Sequence, residues 1–160
     1  MPLTITWTLE AHGWSFIKVS DGQAETEVIA SYVTGGPEQF LRAIVSLAHF
    51  DPETRAEFEG EPQVYTWIFR REGDDADIKL LRADDSGASD QSAQVLWTSR
   101  QPIIALVRAA VRAFDQLVHE HGEDGYETQW GRAFPRAEVE TLRGILRTRG
   151  KGARIPDING

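Results

Sequence analysis

Cysteine is absent from this chain of 160 residues, methionine occurs once, and positive charge is scarce, with 17 Lys and Arg against 25 Asp and Glu. Without cysteine there are no disulfides, thiolate metal ligands or cysteine nucleophiles, and that count leaves the compartment open. A formal net charge of −8 argues against a dedicated nucleic-acid binder, which needs a basic face to meet phosphates. It suits a soluble protein or one with a basic partner. Long apolar runs are missing too, since nothing approaches the roughly 18 residues of a membrane span. Met1-Pro2-Leu3-Thr4-Ile5 lacks the basic and apolar regions of a secretory signal, so the expected location is cytoplasmic, with no membrane partner. Gly-x-Ser-x-Gly, His-Glu-x-x-His and Gly-x-x-x-x-Gly-Lys do not occur, which removes the common signatures of serine hydrolases, zinc peptidases and phosphate loops.

What is present is an ordinary globular pattern, 41% hydrophobic and 26% charged, long enough for one core. Leu3, Ile5, Trp7 and Leu9 alternate with Thr4, Thr6, Thr8 and Glu10, the period of a strand with one buried face. Trp14 to Val19 and Glu25 to Val33 read as two further strands joined through Asp21-Gly22. Pro37 then opens a helix to Phe50, with Phe40, Leu41, Ile44, Val45 and Ala48 on one stripe. The acidic connector from Asp51 to Glu61 reads as a loop. Strands are expected from Gln63 to Arg70, over Ile78 to Arg82 and from Ala93 to Ser99, with a polar loop over 84–90. A long helix should run from Gln101 to His121, capped by Gly122, and a last one from Pro135 to Arg149.

The expected fold is therefore α+β, with six mainly antiparallel strands in a possible (βββα)2 arrangement plus a C-terminal helix. Residues 1–149 should form a single domain, and 150–160 a flexible tail. Thr6-Trp7 against Thr66-Trp67, Gly13 against Gly73 and Ile17-Lys18 against Ile78-Lys79 carry the suggestion of repetition. The predicted core includes Ile5, Trp7, Ile44, Trp67, Phe69, Leu106, Val107, Val111 and Phe114.

No catalytic residue is assigned and no cofactor is implied. Asp115 and His119, four apart on one helix face, are the alternative reading: a carboxylate and an imidazole that could share a metal in a hydrolase. A pocket for a small ligand is the other alternative. The preferred reading is a noncatalytic interaction module whose acidic groups Glu57, Glu59, Glu61, Asp74, Asp75, Asp77, Asp84 and Asp85 face a basic protein partner. Trp14 and Trp130 are its candidate aromatic anchors.

The segment from Gly60-Glu61-Pro62 through Tyr65-Thr66-Trp67 to Arg71-Glu72-Gly73-Asp74, with Asp77-Ile78-Lys79-Leu80, resembles small acidic proteins of GC-rich bacteria, some similar to immunity proteins of polymorphic toxin systems. That resemblance covers about fifteen to twenty residues and carries no site residues with it. It implies an acidic single-domain protein that neutralises a basic toxin domain by surface complementarity.

Overall fold

The computed structural model of the chain describes residues 2–10, 12–85 and 90–152. Strands β1 (Thr4–Glu10), β2 (Trp14–Ser20) and β3 (Glu25–Ser31) form an antiparallel meander. Helix α1 (Gly36–Ala48) leads to a second antiparallel sheet, β4 (Glu53–Glu59), β5 (Val64–Glu72), β6 (Asp75–Ala83) and β7 (Gln94–Pro102), in consecutive order. Helices α2 (Ile103–Trp130) and α3 (Arg136–Gly152) close the fold.

The fold is α+β, but among the described residues seven strands replace the expected six and no clean (βββα)2 repeat is present. The extra strand is β4, which takes up most of the connector read as a loop. Thr54, Ala56 and Phe58 point inward while Glu53, Arg55, Glu57 and Glu59 point out, so the period is that of a strand built with small inward residues. Thr54 Oγ1 donates to Ala43 O of α1 at 2.8 Å, which ties this edge strand to the helix above it.

Helix α2 also exceeds its expected end. Gly122 takes φ 69° and ψ 166°, a break inside the helix, and the chain resumes helical geometry until Gly131 caps it in the left-handed region. The added turns bring Tyr126 and Trp130 into the core, both fully buried. Helix α3 runs on to Gly152, so residues 150–152 of the expected tail are helical, and 153–160 lie outside the described residues. Within the 84–90 loop, Asp84 and Asp85 are exposed and 86–89 are likewise outside them.

All nine predicted core residues are buried in one continuous cluster that draws on both sheets and all three helices. Its centre is aromatic. The Trp7 ring lies 5.6 Å from Phe40, 5.3 Å from Phe58 and 5.1 Å from Phe114, and Phe40 lies 5.0 Å from Trp67. The two sheets also meet at a polar joint, where the β2–β3 turn reaches β7. Trp97 Nε1 donates to Ala24 O at 3.0 Å, and Ser99 Oγ donates to Asp21 Oδ2 at 2.7 Å. No described helix is long and apolar enough to cross a membrane.

Candidate functional site

Inner faces are committed to the core, so the chemistry open to a partner lies on the outer faces. On the outer face of the three-stranded sheet the register sets Glu10 beside Trp14, whose neighbour Ser31 is buried, then Thr8, Phe16 and Ile29 in the next row, followed by Thr6, Lys18 and Glu27. Trp14, Phe16 and Ile29 are each half-buried and stand outside the core cluster. Lys18 pairs with Glu25 at 3.0 Å. The turn after β4 abuts this patch, and Gly60 makes the approach possible: a Cβ there would lie 2.9 Å from the Tyr65 ring, 3.0 Å from Gln63 O and 3.5 Å from Ile29 Cγ1.

The eight predicted acidic residues do not form one surface. Because β4 and β5 are antiparallel, as are β5 and β6, Glu59, Val64 and Ala83 fall at one end of the four-stranded sheet. Glu57, Glu59, Glu61, Asp84 and Asp85 belong to that end, beside Gly60 and the Ile29 patch. Asp74, Asp75 and Asp77 lie at the other, separated by the nine residues of β6, roughly 30 Å of strand. Their chemistry differs as well. Asp75 and Asp77 each approach Arg100 Nε at 3.7 Å, and Asp74 O accepts the Ile103 N–H at the start of α2. The register continues this pattern outward as Glu53–Arg70–Asp77–Arg100, an alternating charge ladder beside a cavity of about 510 Å³.

Of the two tryptophans proposed as anchors, Trp14 is half-buried on the outer face, whereas Trp130 is corrected to a core residue with 0% exposure. Phe16 and Ile29 join Trp14 instead. Both faces of β2 are apolar, Trp14 and Phe16 on one and Ile17 and Val19 on the other, and this mixture hides the outward pair in the sequence.

Asp115 and His119 do line a common cavity of about 430 Å³ between α2 and α3, together with Glu123 and Glu140. Arginines claim its carboxylates. Arg143 grips both Asp115 oxygens, at 2.7 and 3.1 Å, and reaches Glu140 at 3.1 Å, while Arg136 pairs with Glu123. Donating to Asp115 and Glu140 holds the Arg143 guanidinium still further above its ordinary pKa. Among the described residues, no group of three His, Cys, Asp or Glu is placed to hold a metal.

One titratable group stands apart. Burial pushes the Glu38 carboxyl up, against the pull of the Arg132 guanidinium. Arg132 also donates to Tyr32 O at 2.9 Å and Val33 O at 3.3 Å, clamping the β3–α1 connector to the residues after α2. Burial likewise raises the Tyr126 hydroxyl, with the Glu38 charge adding to it. The arrangement explains how the end of α2 is held in place.

Compared with protein-family models, with curated proteins and with solved structures, the chain matches none of them.

Proposed function

We propose that this chain is a noncatalytic protein-interaction module, of immunity or inhibitor type, that receives a basic partner on the outer face of its three-stranded sheet. The observation that carries the reading is the half-buried trio Trp14, Phe16 and Ile29, set outside the core, with Glu10 opposite Trp14, Glu27 two residues before Ile29 on β3, and Gly60, between Glu59 and Glu61 in the chain, against Ile29. An apolar centre with aromatic anchors inside a charged rim is the anatomy of a protein interface. Carboxylates in that rim steer a cationic surface toward it and make the association rate fall with salt. The acidic groups at the opposite end of the sheet contribute less, because Asp75 and Asp77 already share Arg100 within the chain.

The test is affinity capture from the native source at physiological salt, followed by binding kinetics with the recovered protein. A basic partner is expected. The double variant Trp14→Ala/Phe16→Ala should weaken it by about 2 kcal/mol or more, mainly through faster dissociation. Glu57→Gln/Glu59→Gln/Glu61→Gln should slow association and flatten its salt dependence. Capture of no basic protein, or binding indifferent to the Trp14 and Phe16 substitutions, rejects the reading.

A further inference from the structure

The C-terminal end of α1 departs from the chemistry that its geometry favours. Phe50 N–H donates to Leu47 O and Asp51 N–H to Ser46 O, both at 3.1 Å, which is the paired bonding of a Schellman cap. In that motif the residue after the cap takes the left-handed conformation, and Phe50 does so with φ 76°. Glycine occupies this position freely and a residue with a Cβ does not, least of all a bulky one. Phe50 is also 73% exposed, so the strain is not offset by burial of the ring. The Arg71 guanidinium stacks 4.7 Å from the ring centroid and is itself fixed by hydrogen bonds to Leu47 O at 2.8 and 3.2 Å. The ring is held outward. A costly backbone conformation that presents an apolar side chain to solvent points to a use for that side chain.

Phe50 itself walls one side of a groove of about 720 Å³, with His49 next to it and Gly144, Ile145, Thr148 and Arg149 of α3 opposite. The same surface thus carries an aromatic knob and an apolar hole, the self-complementarity that a two-fold interface requires. Charge agrees with shape. Among the described residues no carboxylate lines the groove, so the local repulsion between two copies of a chain with net charge −8 is reduced there. Asp51 sits next to the knob and Arg149 inside the hole, and neither side chain is ion-paired among the described residues. We propose that a second copy of this chain docks on the α1–α3 face, with Phe50 of each copy entering the groove of the other and Asp51 meeting Arg149 across the two-fold axis.

Two substitutions separate docking from folding. Phe50→Gly relieves the left-handed strain, and Gly144→Arg replaces a glycine within α3 by a better helix former. The groove also has room for the first atom of that side chain, since a Cβ at Gly144 would meet only the end of Arg147, at 3.8 Å. At concentrations where the wild type is monomeric, both variants should therefore unfold no earlier than it does. Sedimentation velocity from roughly 1 to 500 µM should show wild-type dimers, and each variant should dissociate at least about tenfold more readily. A wild-type chain that stays monomeric throughout overturns the proposal and leaves the face to a different protein. Dimers that persist unchanged in both variants overturn it equally.

Discussion

On the outer face of the four-stranded sheet, Asp77 stands between Arg70 and Arg100 in the register, and Arg70 stands between Asp77 and Glu53. The charges there answer one another within the chain. On the outer face of the three-stranded sheet, Trp14, Phe16 and Ile29 are half-buried and belong to no core. The two faces are built on the same antiparallel scaffold over the same core, and they differ in whether their side chains find partners inside the molecule. Alternating charge suits a sheet face that remains in water, because each cross-strand pair is modestly favourable and an outward row of mixed charge discourages association. An outward apolar patch gains nothing comparable until something covers it.

Both sheets contribute to one core, and substitution of its central tryptophans is expected to have the largest effect. Trp67 is fully buried against Phe40, Phe58 and Phe69 in the four-stranded sheet, and Trp7 is buried against Phe40, Phe58 and Phe114 in the three-stranded one. Trp67→Ala and Trp7→Ala should each cost about 3 to 5 kcal/mol in chemical denaturation, with a single transition seen by every probe. Separate transitions for the two sheets would break the comparison at its base.

Much of this architecture can be read from periodicity. Leu3 to Leu9 alternates cleanly, and the stripe from Ile103 to Leu117 keeps helical spacing, so β1 and most of α2 are plain in the sequence. The pattern fails where inward residues are small or where glycine has two uses. Thr54 and Ala56 conceal β4, since only Phe58 is conspicuously apolar. Gly122 does adopt a positive φ, but its ψ of 166° redirects the helix instead of ending it, and Tyr126 and Trp130 then fall into the core. The candidate site is less legible for a further reason. Asp77 and Glu59 look alike in sequence; only cross-strand register shows that Asp77 stands beside Arg100, and only the folded turn brings Gly60, next to Glu59, against Ile29. Trp14 could be singled out as an aromatic on a short strand, whereas Phe16 and Ile29 become part of its surface only once β2 pairs with β3.

A smaller effect sharpens the contrast between the outer faces. If the charge ladder is satisfied within the chain, its contribution is to stability alone, and it is modest. A double-mutant cycle with Asp77→Ala and Arg100→Ala should give a coupling of about 0.5 kcal/mol, reduced in high salt, because the pair is solvent-exposed at 3.7 Å. Neither substitution should change the affinity for the proposed basic partner. A loss of affinity matching that of the Trp14 variant would move the interface to the four-stranded sheet.

The smallest effect concerns the joint where the two faces meet. The Asp21 carboxyl is held below its ordinary value of 3.8, first by the Ala24 N–H, then by the Ser99 hydroxyl and then by the Gln23 N–H, all of which favour the ionised form. A carboxylate whose folded-state pKa is depressed adds stability that is fully present above its unfolded value. That stability is lost as the pH falls toward the lower value of the folded state. Asp21→Asn keeps the shape of the β2–β3 turn and removes the charge. At pH 7 it should therefore lower stability by no more than about 1 kcal/mol, because the group is only partly buried and solvent screens its charge. The difference from wild type should shrink as the pH is taken below about 4, where the wild-type carboxyl begins to protonate in the unfolded chain. Ser99→Ala should follow the same pH course with a smaller amplitude, since it deletes only the contact from β7 and leaves both turn N–H donors in place. A difference between wild type and Asp21→Asn that is constant from pH 7 to pH 3 would mean that packing, and not the ionised carboxylate, fastens the three-stranded sheet to the four-stranded one.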